Sequence, residues 1–191
     1  MAFDVGSPQF GLADCKIALW TAAGTYGTAV DVMSVQLLGT NMDVVSAELT
    51  GDDQITAQAS RAIAGTVTLR FGGISIAALE VLVGNTATSS IASPNNIKNL
   101  RINGGDNMPY IGLIGRAVAE EGTGDFLLYI PKARVMGNIT IAQLEYGSFA
   151  IPSVELRAVH DASYGIINLI TRETASTSAL VLPPVNIPVN A

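Results

Sequence analysis

Short runs of alternating apolar and polar residues dominate the chain, and each such run reads as a half-buried β-strand. Residues 14–21 set Cys15, Ile17 and Leu19 on one face. Residues 30–38 are β-branched and apolar and end at Gly39; residues 41–50 follow as another strand, and Gly51-Asp52-Asp53 turns the chain. Residues 54–60 alternate strictly, with Gln54, Thr56, Gln58 and Ser60 on one face and Ile55, Ala57 and Ala59 on the other. Residues 65–71 do the same, opposing Thr66, Thr68 and Arg70 to Val67, Leu69 and Phe71. Further strands are expected over 98–103, 109–119, 125–136, 138–146, 148–159 and 164–172. Gly104-Gly105, Gly122-Thr123-Gly124 and Gly137-Asn138 serve as turn chemistry between them.

One stretch has helical spacing instead. Ile76, Leu79 and Val83 recur three and four apart, Ser75 is placed to cap the start and Gly84 to stop the chain. The expectation is one short helix at about 75–83, packed on a sheet with Glu80 facing out. Residues 85–97, rich in Ser, Thr, Asn and Pro, read as a loop. The fold class is therefore mainly β: a β-sandwich or barrel with one flanking helix and extended terminal arms. Residues 1–173 form the domain. Residues 174–191 form an apolar arm with no charge and three prolines, expected to dock on a neighbouring chain through Leu180, Leu182 and Ile187.

Composition adds a constraint that the pattern does not contain. Of 191 residues only 14% are charged, against about 25% in soluble domains generally. Ten Lys and Arg against 16 Asp and Glu leave a net charge of −6. A chain with pI near 4.6 is a poor nucleic-acid binder, because binding needs cations that displace phosphate counterions. Disorder conflicts with 49% apolar residues. Cys15 is the only cysteine, so no disulfide framework exists. With one His beside it, a zinc site is not expected either. No apolar run reaches the roughly 18 residues of a membrane span, and residues 1–8 lack the charge and apolar pattern of a signal peptide. The expected setting is a reducing cytoplasm. So few charges on a soluble chain imply that copies of the chain cover one another.

The charge is also uneven. No Lys or Arg occurs from Ile17 to Ser60, which holds Asp31, Asp43, Glu48, Asp52 and Asp53. The catalytic inventory is nearly empty. Gly51-Asp52-Asp53 has the look of a carboxylate pair for magnesium, but Gly and Asp equally favour a hairpin turn and no basic nucleotide channel accompanies them. His160, Asp161 and Ser163 lie too close in sequence to converge as a triad. Trp20, Phe126, Tyr129, Tyr146 and Phe149 read as core or interface, because a base-stacking platform needs Lys and Arg around it. No catalytic residue, cofactor or metal is expected.

Residues 44–84 carry an ordered series: Ala47-Glu48-Leu49, Gly51-Asp52-Asp53, Gly72-Gly73, then Ser75, Ala78-Leu79, Leu82 and Gly84. This series resembles the tail tube proteins of long-tailed bacteriophages, and residues 144–159 look like the strand pair that ends that family's domain. The resemblance implies a non-enzymatic structural virion protein. Hexameric rings would stack into a hollow tube, assembled in the host bacterial cytoplasm and located in the virion tail. A tape measure protein would occupy the lumen, viral DNA would pass without specific binding, and tail terminator and baseplate or tip proteins would bind the ends. No membrane is involved. On this reading Ser46, Glu48, Gln54, Thr56, Gln58 and Ser60 line an acidic lumen that repels phosphate. The opposite apolar face packs under the helix. Asp52 and Asp53 contact the next ring, and Arg70 bridges to a carboxylate of a neighbouring strand. The alternatives are another virion β-protein (capsid decoration or tail terminator), the inner tube of a contractile injection machine, or a small hydrolase using His160.

Overall fold

The computed structural model describes residues 9–51, 54–92, 95–119 and 124–185. Strands β1 (Gln9–Ala22), β2 (Thr25–Tyr26), β3 (Val30–Asp31), β4 (Val35–Gly51) and β5 (Gln54–Phe71) precede the helix α1 (Ile76–Val83). Strands β6 (Thr88–Ala92), β7 (Asn95–Asn99), β8 (Tyr110–Ala119), β9 (Asp125–Thr140), β10 (Ser153–Ala158) and β11 (Asn168–Arg172) follow it. Nine strands form one sheet in the order β2-β1-β8-β9-β10-β5-β4, with β3 on β1 and β11 on β9; β6 and β7 form a separate pair. All the pairings are antiparallel. The protein is thus mainly β with one short helix. The sheet curls until Leu38 of β4 meets Gly115 of β8. Among the described residues no ladder joins β4 to β1, so a closed barrel is not what forms.

The helix follows its capping signals closely. Ser75 Oγ accepts from Ala78 N–H at 3.3 Å, and Gly84 ends the helix in the left-handed region at φ 80°. Ala78, Leu79, Leu82 and Val83 are buried, and α1 lies against β1 and β3. The expected loop at 85–97 is instead largely the β6–β7 pair. Glu80 anchors it: its carboxylate accepts from Ala87 N–H at 2.6 Å and from Lys98 Nζ at 3.0 Å.

Several expected breaks are absent. Residues 54–71 form one strand rather than two, as do 125–140. The sequence places Gly65 and Gly137 at strand ends; in the structure they mark close approaches inside β5 and β9. A Cβ on Gly65 would lie 2.9 Å from Ile167 Cδ1, and one on Gly137 2.7 Å from Glu155 Oε2.

The main core joins Cys15 and Ile17 of β1, Val67, Leu69 and Phe71 of β5, Ile111 and Leu113 of β8, and Val154 and Leu156 of β10 under the buried side of α1. A second cluster lies on the other face of the sheet, where Ile114, Leu127 and Tyr129 meet Leu180. The middle of the sheet is therefore buried on both faces. Gly112 makes this possible at β8, because the Tyr26 ring occupies the space a Cβ would need. Gly112→Ala is expected to lower stability by about 1–3 kcal/mol through overpacking. Gly104→Ala, whose added Cβ meets nothing within 4 Å, is expected to stay within about 0.5 kcal/mol. Urea unfolding of the two variants measures both.

Candidate functional site

The most distinctive surface is the hairpin of β4 and β5. From Val44 to Thr50 and from Gln54 to Ile63 every side chain is exposed, on both faces. The strand pair leaves the domain at a bulge, where Asp43 opposes Ala64 and Val44 already opposes Ala62. Beyond it, Ser46 pairs with Ser60 and Glu48 with Gln58, so these four share one polar face. Gln58 Nε2 donates to Glu48 Oε1 at 3.2 Å. The other face carries Val45, Ala47 and Leu49 opposite Arg61, Ala59 and Ala57.

Near the hairpin's end the strict alternation fails. A second bulge sets Thr50 opposite Ile55 and Gly51 opposite Gln54. The phase reverses there, so Ile55 joins the face of Glu48 and Gln54 leaves it. Thr56 is the extra residue, and its hydroxyl donates to Leu49 O at 2.9 Å. The expected polar row thus keeps Ser46, Glu48, Gln58 and Ser60 and loses Gln54. The apolar face does not pack under the helix either. Leu49 is 65% and Ile55 60% exposed, because the strands run past the domain instead of folding across it. Asp52, Asp53 and Ile187 lie outside the described residues.

The acidic stretch is less acidic in space than in sequence. Lys16 Nζ pairs with Asp31 Oδ1 at 3.0 Å. Arg157 Nη1 lies 2.8 Å from Asp43 Oδ2, close in distance but without a hydrogen-bonding angle. Of the five acids, Glu48 is the one described carboxylate that faces no cation partner. Arg70 is exposed and takes part in none of the ion pairs among the described residues. The guanidinium that reaches a carboxylate of β4 is Arg157 of β10, from across the intervening β5.

The C-terminal segment folds back on its own chain. Asp125 is fully buried, and Arg172 grips it with two bonds, Nε to Oδ1 at 2.6 Å and Nη2 to Oδ2 at 2.5 Å. Ser176 N–H adds a third bond to Asp125, and Arg116 Nη1 donates to the carbonyls of Ser176 and Ser178. Leu180 is buried beside Ile114, Leu127 and Tyr129, with Leu182 packed against them. The sequence predicts that an arm over 174–191 reaches a neighbour; its described part, 174–185, is instead held on its own chain by polar anchors on β8, β9 and β11. Asp125 carried no sequence signal, since Gly122-Thr123-Gly124-Asp125 reads as an ordinary turn.

Asp161 is likewise structural. Its carboxylate accepts from Trp20 Nε1 at 2.9 Å and from the N–H groups of Ser163 and Tyr164. His160 is exposed, and among the described residues the Asp161 carboxylate is taken by Trp20, Ser163 and Tyr164 rather than by the imidazole. Trp20 in turn stands at a cluster that local sequence did not reveal. Lys132 Nζ sits 3.9 Å from the centre of the Trp20 ring and 4.5 Å from that of Tyr110, and the Arg134 guanidinium lies 5.4 Å from Tyr110. The cations missing around Trp20 in sequence are supplied by β9. Burial pushes the Cys15 thiol up to about 12, with Asp14 adding to the shift. Burial raises the Tyr26 phenol to about 12 as well. Neither group is ionised near neutral pH. Among the described residues no three of His, Cys, Asp and Glu converge as a metal set. No helix among them is long and apolar enough to cross a membrane.

No protein-family model matches the chain, and no curated protein matches it.

Two outcomes follow from the carboxylates. Arg172→Ala leaves the buried Asp125 without its countercharge and is expected to cost about 3–5 kcal/mol. Limited proteolysis should then cut within 174–185, and Arg172→Lys should restore only part of the loss, because an ammonium cannot form the bidentate pair. The Glu80 carboxyl is held below its ordinary range by the Ala87 N–H and by Lys98. A depressed carboxylate stabilises above its unfolded pKa, about 4.3, and the contribution is lost as pH falls through the lower folded value. Amide protection factors in β6 and β7, corrected for the intrinsic exchange rate at each pH, should fall across that window, and in Glu80→Gln the step should be absent.

Proposed function

We propose that the chain is a subunit of a bacteriophage tail tube, whose copies form rings that stack into a hollow conduit for viral DNA. The observation that carries this reading is the β4–β5 hairpin, whose strands are exposed on both faces beyond Asp43 and which bears Ala47-Glu48-Leu49, the opening of the tail-tube-like series. A monomer gains nothing by holding Val44, Val45, Leu49, Ile55 and Ile63 in water. Covered by neighbouring copies, the same residues become interior. The outer edge of β4, which pairs with no other strand among the described residues, adds backbone groups of the kind that another chain completes.

On this reading the face of Ser46, Glu48, Gln58 and Ser60 is turned to the lumen. Hydroxyl and amide groups wet the wall, and each subunit contributes one carboxylate there rather than several. Phosphate is repelled weakly and finds no cation on that face to hold it. The tape measure protein, the terminator and the baseplate or tip proteins are partners of such a tube, and the location is the virion tail.

Negative-stain electron microscopy of the concentrated full chain tests the proposal directly. Rings or tubes with an open channel are expected, and a monodisperse monomer at high concentration overturns it. Leu49→Ser is expected to weaken assembly by tenfold or more while leaving the monomer's unfolding midpoint unchanged, since Leu49 touches no core residue.

A further inference from the structure

The segment between β9 and β10 forms a finger whose large side chains are exposed, with no partner among the described residues. Leu144 is 84% and Phe149 93% exposed, and Tyr146 is fully exposed. Glu145 stands among them, exposed and in none of the ion pairs among the described residues. Gly147 takes the turn at φ 82°, so the finger has defined geometry. Its return leg is tied down, with Ala150 and Pro152 carbonyls accepting from Gly73 and Phe71 N–H.

The complementary surface lies on the same molecule. Trp20 is locked by Asp161, and the Trp20 and Tyr110 rings stand edge-to-face at 6.0 Å. Between them they hold Lys132, which has no carboxylate partner among the described residues. Arg134 donates to the neutral Asn107 and stands directly opposite Arg157 across the β9–β10 ladder. Arg157 has its anion in Asp43, whereas Arg134, the like charge opposite it, has no carboxylate partner among the described residues and gains from one brought to it. These cations are gathered on a chain that is acidic overall, and their side chains are pre-positioned by aromatic rings and a buried carboxylate.

We propose that the finger of one copy docks on this cationic-aromatic surface of a second copy. Glu145 meets Lys132 and Arg134, and Tyr146 and Phe149 cover the rims of Trp20 and Tyr110. The finger cannot serve its own surface. Six residues of strand separate Arg134 from Thr140, about 20 Å at the usual rise, and the bonds to Phe71 and Gly73 hold the return leg at that far end. Finger and surface are different patches, so the contact is head-to-tail, the type that closes into rings or runs on as a filament. This inference rests on the reading that copies of the chain assemble, and it names one contact by which they do.

Charge exchange in the full chain tests it. Arg134→Glu and Glu145→Lys are each expected to weaken self-association at least tenfold in sedimentation, with circular dichroism and unfolding midpoint unchanged. The double variant, and an equimolar mixture of the two single variants, are expected to restore association. Arg101→Glu, an exposed charge elsewhere, controls for net charge and should leave association within twofold. The one tryptophan, Trp20, reports the site: its emission should change on association in the wild type and not in Arg134→Glu. Association indifferent to both single variants, or not restored by the double, overturns the inference, as does a wild type that never associates. Rings or tubes that form regardless of the swaps would leave the tube reading standing and remove this contact. Swap-dependent association that yields only small closed oligomers would do the reverse.

Discussion

Everything in this molecule is arranged around the close packing of side chains onto the backbone of β8. Gly112 and Gly115 point to opposite faces of that strand, and each receives a side chain from a distant part of the chain. Tyr26 fills the space at Gly112 on the outer face. Leu38 and Leu12 fill the space at Gly115 on the inner one. The first contact seats a tyrosine whose hydroxyl lies 2.5 Å from that of Tyr129 and donates to Pro131 O. The second draws β4 across the core and bends the sheet. With any larger residue at either position, neither face could close to the packing density of a protein interior.

That two-faced burial explains where the charges went. A sheet covered on both sides has little room for ionised groups, and those that enter it must be paired. Asp125 is buried and takes Arg172 in a bidentate grip. Asp161 is buried and takes an indole N–H and two backbone N–H groups. Each pair closes a long-range connection: Asp125 fastens the C-terminal segment to the sheet, and Asp161 fastens β1 to the turn after β10. The low charge content is thus partly an internal property of the domain as well as a property of its surface.

The hairpin is the exception to this economy. Its strands pair with each other along their length but, among the described residues, with nothing else beyond Asp43, and its apolar side chains are exposed. The two bulges show how it is shaped. The one at Ile63 lets the pair depart from the domain, and the one at Thr56 reverses the side-chain phase near its end. Such local twists aim particular residues at a target, and an isolated hairpin has no target of its own.

The period of the apolar residues by itself determined that the chain is mainly β, and the Ser75 and Gly84 caps set the one helix to within a residue of its observed ends. Those signals are local, carried by neighbours one to four positions apart. It also set Ser46 with Glu48, and Gln58 with Ser60, on one face of their own strands, because strict alternation survives wherever no bulge interrupts it; the register decided that the two pairs meet. Only the tertiary structure decided the rest. Gly65 and Gly137 looked like strand ends because a glycine's turn preference is visible in sequence, whereas the side chain that crowds it comes from far along the chain. The bulge at Thr56 moved Gln54 to the other face for a reason that lies in the partner strand. Arg157 neutralised Asp43, Lys132 found Trp20, and Asp125 captured the C-terminal segment across gaps of scores of residues. Electrostatic and steric partners act through space, and a run of residues records only what is adjacent along the chain.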